Sequence, residues 1–210
     1  MKYRLLLPLF GSLFLTAMAS AQTVTRSLSS FDKVAISGGF DVVILQEGNS
    51  ESVSLEVTGI DPDKITTEVK GSTLEIGTKK GTYKSFKARI TVTYKNLRSV
   101  ASSGSTDIEA KSVLKGNDFK VATSGSGNFT GSFDVKNLEI AISGSSDMTL
   151  KGQASKQSIA ISGSGDVHAS DLKGTEASVA ISGSGDVTLG VDGPVKTMVS
   201  GSGKVTNNKK

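Results

Sequence analysis

The residues in this chain best suited to chemistry recur at regular intervals. Ser-Gly pairs begin at Ser37, Ser103, Ser124, Ser143, Ser162, Ser182 and Ser200. Four residues after each Ser stands Asp41, Asp107, Asn128, Asp147, Asp166, Asp186 or Lys204. Stacked repeats would set these carboxylates about 5 Å apart, and like charges in a column repel unless something compensates. One reading is a calcium ladder through Asp147, Asp166 and Asp186. Calcium-binding Gly-Gly-x-Gly-x-Asp repeats are nonapeptides, however, and the period here is about twice that. Calcium also takes six to eight oxygens, several of them carboxylate. The favoured reading is structural: each Asp accepts hydrogen bonds from turn N–H groups, as in an Asx-type turn. Asn128 does the same without charge, and Lys204 neutralises its neighbour.

Ser143, Ser145, Ser162, Ser164, Ser182 and Ser184 would need an adjacent, oriented base to act as nucleophiles. The single histidine is His168. If Val167 points inward, strand alternation turns His168 outward, so no Ser-His-Asp triad is expected. Ser-Gly-Ser-Gly leads into a strand rather than a helix N-terminus, which is unlike a phosphate loop. The chain has no cysteine, hence no thiolate ligand, no disulfide and no cysteine nucleophile, and no cluster has zinc spacing. A polysaccharide lyase or hydrolase is the enzymatic alternative, and needs clustered carboxylates or basic groups in a groove. Asp147, Asp166 and Asp186 form the one regular carboxylate row, already needed by turns, and Trp is absent. The chain is therefore read as a non-enzyme, with no catalytic residue and no cofactor-binding residue assigned.

The elements that position these residues follow from the columns. From Ser103 onward the Ser-Gly pairs recur every ~20 residues, at the short end of the periods found in solenoids. The step is not constant: it is longest from Ser103 to Ser124 and shortest from Ser182 to Ser200. Three residues before each Ser stand Val34, Val100, Val121, Ile140, Ile159, Val179 and Thr197. One before stand Ile36, Ser102, Thr123, Ile142, Ile161, Ile181 and Val199. Five after stand Val42, Ile108, Phe129, Met148, Val167, Val187 and Val205. Strand residues two apart share a face, so the pattern is strand, Gly-rich turn, strand, with one face buried. The repeat turns are Ser143-Gly144, Ser162-Gly163, Ser182-Gly183 and Ser200-Gly201, with the glycines at φ > 0. A repeating period with like residues in columns predicts a β-solenoid, each coil stacked about 4.8 Å from the next, over an antiparallel meander with Ser-Gly-Ser-Gly hairpins.

Between Ser37 and Ser103 the period lapses. Val53–Val57 and Ala88–Tyr94 alternate as strands, Thr73–Ile76 is a further short strand, and Ile65–Val69 suits one helical turn after Asp61-Pro62-Asp63. This part is expected to be degenerate coils or a hairpin region that covers one exposed edge. The Lys-rich stretch Lys204–Lys210 would serve at the other.

Met1–Ala21 reads as a signal peptide: Lys2 and Arg4, an apolar core over Leu5–Ala17, and Ala19-Ser20-Ala21 before Gln22. Its apolar stretch is short for a span of about 20 residues. The expected organisation is 1–21 signal peptide, 22–206 solenoid domain and 207–210 polar tail. Removing Lys2 and Arg4 lowers the net charge from +4 to +2. A balance so close to neutral, with few aromatics, argues against nucleic acid as a partner. No later segment is apolar enough to cross a membrane.

Phe40-Asp-Val-Val-Ile-Leu-Gln46, Gly71-Ser-Thr-Leu-Glu-Ile76 and the repeated Ser-Gly-Ser-Gly-Asp-Val resemble the auto-transporter adhesin head GIN domain family, common in Bacteroidetes. The resemblance covers Thr23–Val205. It implies an all-β, single-domain, right-handed parallel β-helix-like fold with an envelope or surface location, and carries no functional residues across. No series of amphipathic strands follows Val205 as a barrel would require. The expected protein is exported, and is periplasmic, at the cell surface or secreted. It binds an unidentified surface ligand such as a glycan or matrix component through a flat array of Ser, Thr and Asp. The alternative is a structural envelope protein that assembles as a homo-oligomer.

Overall fold

The computed structural model describes residues 22–83 and 85–208. The predicted signal peptide and the last two lysines lie outside the described residues. The first strands are β1 (Gln22–Ser27), β2 (Lys33–Ser37), β3 (Val42–Glu47) and β4 (Ser52–Thr58). A short 3-10 turn at Pro62–Lys64 leads to β5 (Ile65–Lys70), β6 (Thr73–Thr78) and β7 (Lys87–Tyr94). Then come β8 (Ser99–Gly104), β9 (Asp107–Ala110), β10 (Leu114–Gly125), β11 (Phe129–Gly144) and β12 (Met148–Gly163). The chain finishes with β13 (Val167–Gly174), β14 (Glu176–Gly183), β15 (Val187–Val191), β16 (Val195–Gly201) and β17 (Val205–Asn207).

Pairing between successive repeats is parallel, which makes the fold a β-solenoid and not a meander. On one wall the strands that end in Ser-Gly stack in the order β2, β8, β10, β11, β12, β14, β16. On the other wall β3, β9, β11, β12, β13, β15 and β17 follow one another. Strands β11 and β12 are each 16 residues long and bend through both walls. In later coils the bend breaks them into β13 with β14 and β15 with β16.

The registers reproduce the sequence columns. Val100, Val121, Ile140, Ile159 and Val179 are stacked neighbours and all buried. So are Ile108, Phe129, Met148, Val167 and Val187. Each column removes apolar side chains from water along its whole length, worth about 1.5–3 kcal/mol per large residue. Phe119, Phe129 and Phe133 fill one stretch of core, with ring centroids 5.5 Å and 6.2 Å apart. One column assignment needs correction. Val43, not Val42, pairs with Ile108 and is buried. The first turn, Ser37-Gly38-Gly39-Phe40-Asp41, is one residue longer than the others, so Val42 and Asp41 fall out of step.

The long gap between Ser37 and Ser103 does not interrupt the stack, because β2 and β3 lie directly on β8 and β9. The intervening chain builds outward from the first coil. Strand β6 runs parallel to β2 and β7 parallel to β3. Antiparallel β5 then joins β6, β4 joins β7 and β1 joins β4. The gap is thus a cap that ends the parallel stack, with buried Leu55, Ile65, Leu74 and Ile90 extending the core. Ile65–Val69 is strand rather than a helical turn; the helical geometry belongs to Pro62–Lys64, where Asp61 Oδ1 accepts the Asp63 N–H at 2.9 Å. At the opposite end, Lys196–Gly201 of β16 stay exposed, so Lys204–Asn208 do not cover the last coil.

Candidate functional site

The repeat turns come first, since they hold the residues singled out by sequence. Gly144, Gly163, Gly183 and Gly201 lie at φ 133°, 137°, 142° and 132°. A Cβ at Gly163 would also sit 2.1 Å from the carbonyl oxygen of Gly144, and one at Gly183 2.0 Å from that of Gly163. Glycine is needed here twice over, for the backbone angle and for the close approach of the neighbouring coil. Ser143, Ser162, Ser182 and Ser200 are all exposed on the outer surface.

The Asx residues form a ladder between coils rather than turns within them. Asp107 Oδ1 accepts the Asn128 N–H at 2.9 Å, and Asn128 Oδ1 accepts that of Asp147 at 3.3 Å. Asp147 accepts from Asp166 at 2.9 Å, Asp166 from Asp186 at 2.7 Å, and Asp186 from Lys204 at 2.8 Å. This corrects the expected local Asx turn: the acceptor serves the next coil's backbone. Asp41 stands apart, and its Oδ2 takes the Ala88 N–H of the cap at 2.6 Å. Among the described residues no group of three or more His, Asp or Glu is arranged to hold a metal. His168 is exposed beside fully buried Val167.

The other end of each Ser-Gly strand carries a feature that the sequence columns did not expose. From the inward residue after the turn to the next Ser, the chain runs Ile108–Ser124, Phe129–Ser143, Met148–Ser162, Val167–Ser182 and Val187–Ser200. These spans differ in length, the first being the longest and the last the shortest. The turn itself keeps one length from Ser103 onward. The variation in repeat length therefore falls between each turn and the next Ser-Gly strand, where the registers shift at Thr149–Lys151 and Ala169–Lys173 within the second wall. Past the bend the coils are in register again, Asp118 on Asn137 on Lys156 on Glu176, but the side chain differs in each coil. The available signal was the mixed column six residues before each Ser from Ser124 onward, Asp118, Asn137, Lys156, Glu176 and Pro194.

Along this bend runs a groove of about 1250 Å³, lined by residues from Asp32 and Lys33 on the first coil to Pro194 and Lys196 on the last. Its rim is a set of side chains paired from coil to coil. Arg98 Nε donates to Asp32 Oδ2 at 2.5 Å, and Lys156 meets Glu176 at 2.7 Å. Lys120 pairs with Glu139, and Asn137 Nδ2 donates to Asp118 Oδ1 at 2.7 Å. Burial by itself would raise the Asp32 carboxyl, but the Arg98 hydrogen bond and charge, with Lys33, outweigh it and hold its pKa below the ordinary value. Beneath the rim lie Tyr94 and Gln157, each 3% exposed. Gln157 Nε2 donates to the Leu172 carbonyl at 3.2 Å. Tyr94 Oη and Gln157 Oε1 have no hydrogen-bond partner. Burial, and secondarily the Glu47 carboxylate, pushes the Tyr94 phenol up to about 12.

Between groove and turns the Ser-Gly wall is uncharged. Its outward residues are Ala101, Ala122, Ala141, Ala160 and Ala180, ending at Met198, which is 75% exposed.

Comparison with known proteins fits this geometry. Residues 30–210 match the family described as "Putative auto-transporter adhesin, head GIN domain". The chain belongs to that family. A Bacteroides fragilis crystal structure described as a putative adhesin is similar, with TM-score 0.77 and 18% identity over 91% of this chain and 98% of that one. A Parabacteroides merdae structure, also described as a putative adhesin, has TM-score 0.62 and 19% identity over 90% and 97%. A Parabacteroides distasonis structure described as a putative lipid binding protein has TM-score 0.68 and 20% identity over 90% and 97%. At these identities the likeness to these structures is one of fold. No curated protein matches the chain. Among the described residues no helix is long and apolar enough to cross a membrane.

Proposed function

We propose that this head GIN protein is a non-enzymatic binding protein of the bacterial envelope, adhesin-like, exported by cleavage of Met1–Ala21 and contacting its ligand along the groove at the bend. The observation that carries this reading is the distribution of variation: turns are uniform, while the groove positions change side chain from coil to coil, as in stacked Asp118, Asn137, Lys156 and Glu176. Segments that vary on a rigid scaffold are where binding surfaces are built. The regular carboxylates, which an enzyme would need free, instead hold neighbouring coils through Asp147, Asp166 and Asp186.

Protease shaving of intact cells, followed by immunodetection, tests the surface placement that adhesion requires. Cleavage while a periplasmic control survives supports it. Protection until the outer membrane is opened removes adhesion and leaves a role inside the envelope. The uncharged Ala column ending at exposed Met198 supports a second reading, self-association through that wall. Mass in solution that rises with concentration would favour it.

A further inference from the structure

We infer that the groove takes a linear, uncharged glycan laid along the solenoid axis, with sugar units in step with the coils. This rests on the binding reading above and goes on to name the site and ligand class. Two independent observations meet here. The first is the electrostatic character of the rim. Arg98 with Asp32, Lys120 with Glu139 and Lys156 with Glu176 are paired across coils. Such a rim offers alternating donors and acceptors with little net field. A polyanion would meet a carboxylate beside nearly every cation, whereas sugar hydroxyls both donate and accept and can add to paired groups without breaking them. The second is the pair of unpartnered oxygens, Tyr94 Oη and Gln157 Oε1, in residues that line this same groove. A buried polar atom without a partner is destabilising and calls for an explanation. Both atoms are buried beneath groove-lining residues, so a ligand hydroxyl reaches them only when the rim opens.

Geometry sets the ligand's form. At about 4.8 Å per strand, the stack from β2 to β16 is roughly 29 Å long. A coil step is close to the length of one sugar unit, so an extended chain repeats with the protein. The described residues offer no exposed aromatic platform in the groove, since Phe119 and Tyr94 are buried. Affinity must then accumulate over coils, and a short oligomer should bind weakly.

The test is an amide chemical-shift titration of the mature chain. The probes are cello-, manno-, xylo- and chito-oligosaccharides from disaccharide to hexasaccharide, with oligogalacturonides as the charged comparison. The expected result is that at least one neutral series shifts the amides of Gly116–Lys120, Asn137–Glu139 and Lys156–Ser158 and leaves the Ser-Gly turns unmoved. Affinity should rise at least about tenfold from disaccharide to hexasaccharide and should not depend on salt. Asn137→Ala and Tyr94→Phe should each weaken binding about fivefold with melting temperatures unchanged or higher, while Ser164→Ala should bind as wild type. No shift with any neutral series, shifts confined to the Ala wall or the turns, or salt-sensitive binding of galacturonides alone would overturn the inference. So would wild-type binding by both Asn137→Ala and Tyr94→Phe, which would assign the unpartnered oxygens to water. Cell shaving reads location independently, so a surface-exposed protein that ignores neutral glycans sinks this inference and spares the adhesin reading.

Discussion

At the scale of single residues, a stacked coil punishes a methyl group in one place and forgives it a few ångströms away. Gly163→Ala would press a Cβ to 2.1 Å from the Gly144 carbonyl at φ 137°. Gly38 has a similar φ of 127°, but a Cβ there meets only the Phe40 ring at 3.8 Å. Urea melts should therefore show Gly38→Ala losing the backbone-strain cost alone, about 1–3 kcal/mol. Gly163→Ala should lose clearly more, with equal losses contradicting the close-approach argument. Val167 and His168 make a similar contrast. Val167 is fully buried and His168 is exposed. Val167→Asp buries an unpaired charge and should cost more than about 4 kcal/mol, while His168→Ala should change stability by less than about 0.5 kcal/mol. Tyr94 adds a pH dependence. Its pKa rises from 10.0 to about 12 on folding, through burial and the Glu47 charge. The unfolded phenol loses its proton first, so stability present below pH 10 is lost as the pH climbs from 10 toward 12. The loss is about 2–3 kcal/mol at most. Tyr94→Phe also removes an unpartnered oxygen. Its stability should match or exceed wild type at pH 8 and fall less steeply between pH 10 and 12, as followed by equilibrium unfolding.

At the scale of elements, the Asx ladder explains how a column of like charges persists. Each carboxylate oxygen accepts an N–H from the next coil, a charge-assisted bond that offsets repulsion from its neighbours, and Asn128 interrupts the charge. Asp166→Asn keeps an acceptor and lightens the column, so it should leave stability unchanged or slightly raised. Asp166→Ala strips the acceptor from the Asp186 N–H, which is exposed to water, and should cost about 1 kcal/mol. Equal melts for the two variants would deny the ladder a role. The columns themselves were legible in sequence because β-strand side chains alternate and stacked coils place like on like. Val121, Ile140, Ile159 and Val179 could be aligned by eye. Val43 could not, because the longer first turn at Ser37–Asp41 shifts the frame by one, and a frame shift of one residue exchanges inside for outside. The inter-coil direction of the Asp bonds was also hidden. A turn residue's local and next-coil acceptors have the same sequence signature, and only the stacking distance chooses between them.

At the scale of the molecule, the groove was illegible for a reason opposite to that of the core. The core announces itself by repetition, whereas the groove positions, though at a fixed six residues before each Ser from Ser124 onward, hold Asp118, Asn137, Lys156, Glu176 and Pro194 in turn, so a search for repeated residue types passes over them. The cap was half legible. Its strands Val53–Val57 and Ala88–Tyr94 alternate clearly, but nothing local says that β2 and β3 return to stack on β8 and β9 across so long an insertion. That stacking implies that each coil leans mainly on its two neighbours, and it has a consequence for deletion. Ser143 pairs with Ser162 and Gly144 with Gly163. Removing Ser145–Gly163 therefore joins Gly144 to Ser164 and leaves every remaining column in register. The shortened chain should fold and melt cooperatively, with a urea m-value about a tenth smaller because less surface is exposed on unfolding. Removing only Ser145–Ala154 deletes fewer residues but puts Ser155 after Gly144 and throws the columns out of step, so it should not fold. If the shorter deletion folds as well as the longer one, the coils are not the units of this molecule. The stability of the whole would then have to come from the cap and the continuous core rather than from neighbour-on-neighbour stacking.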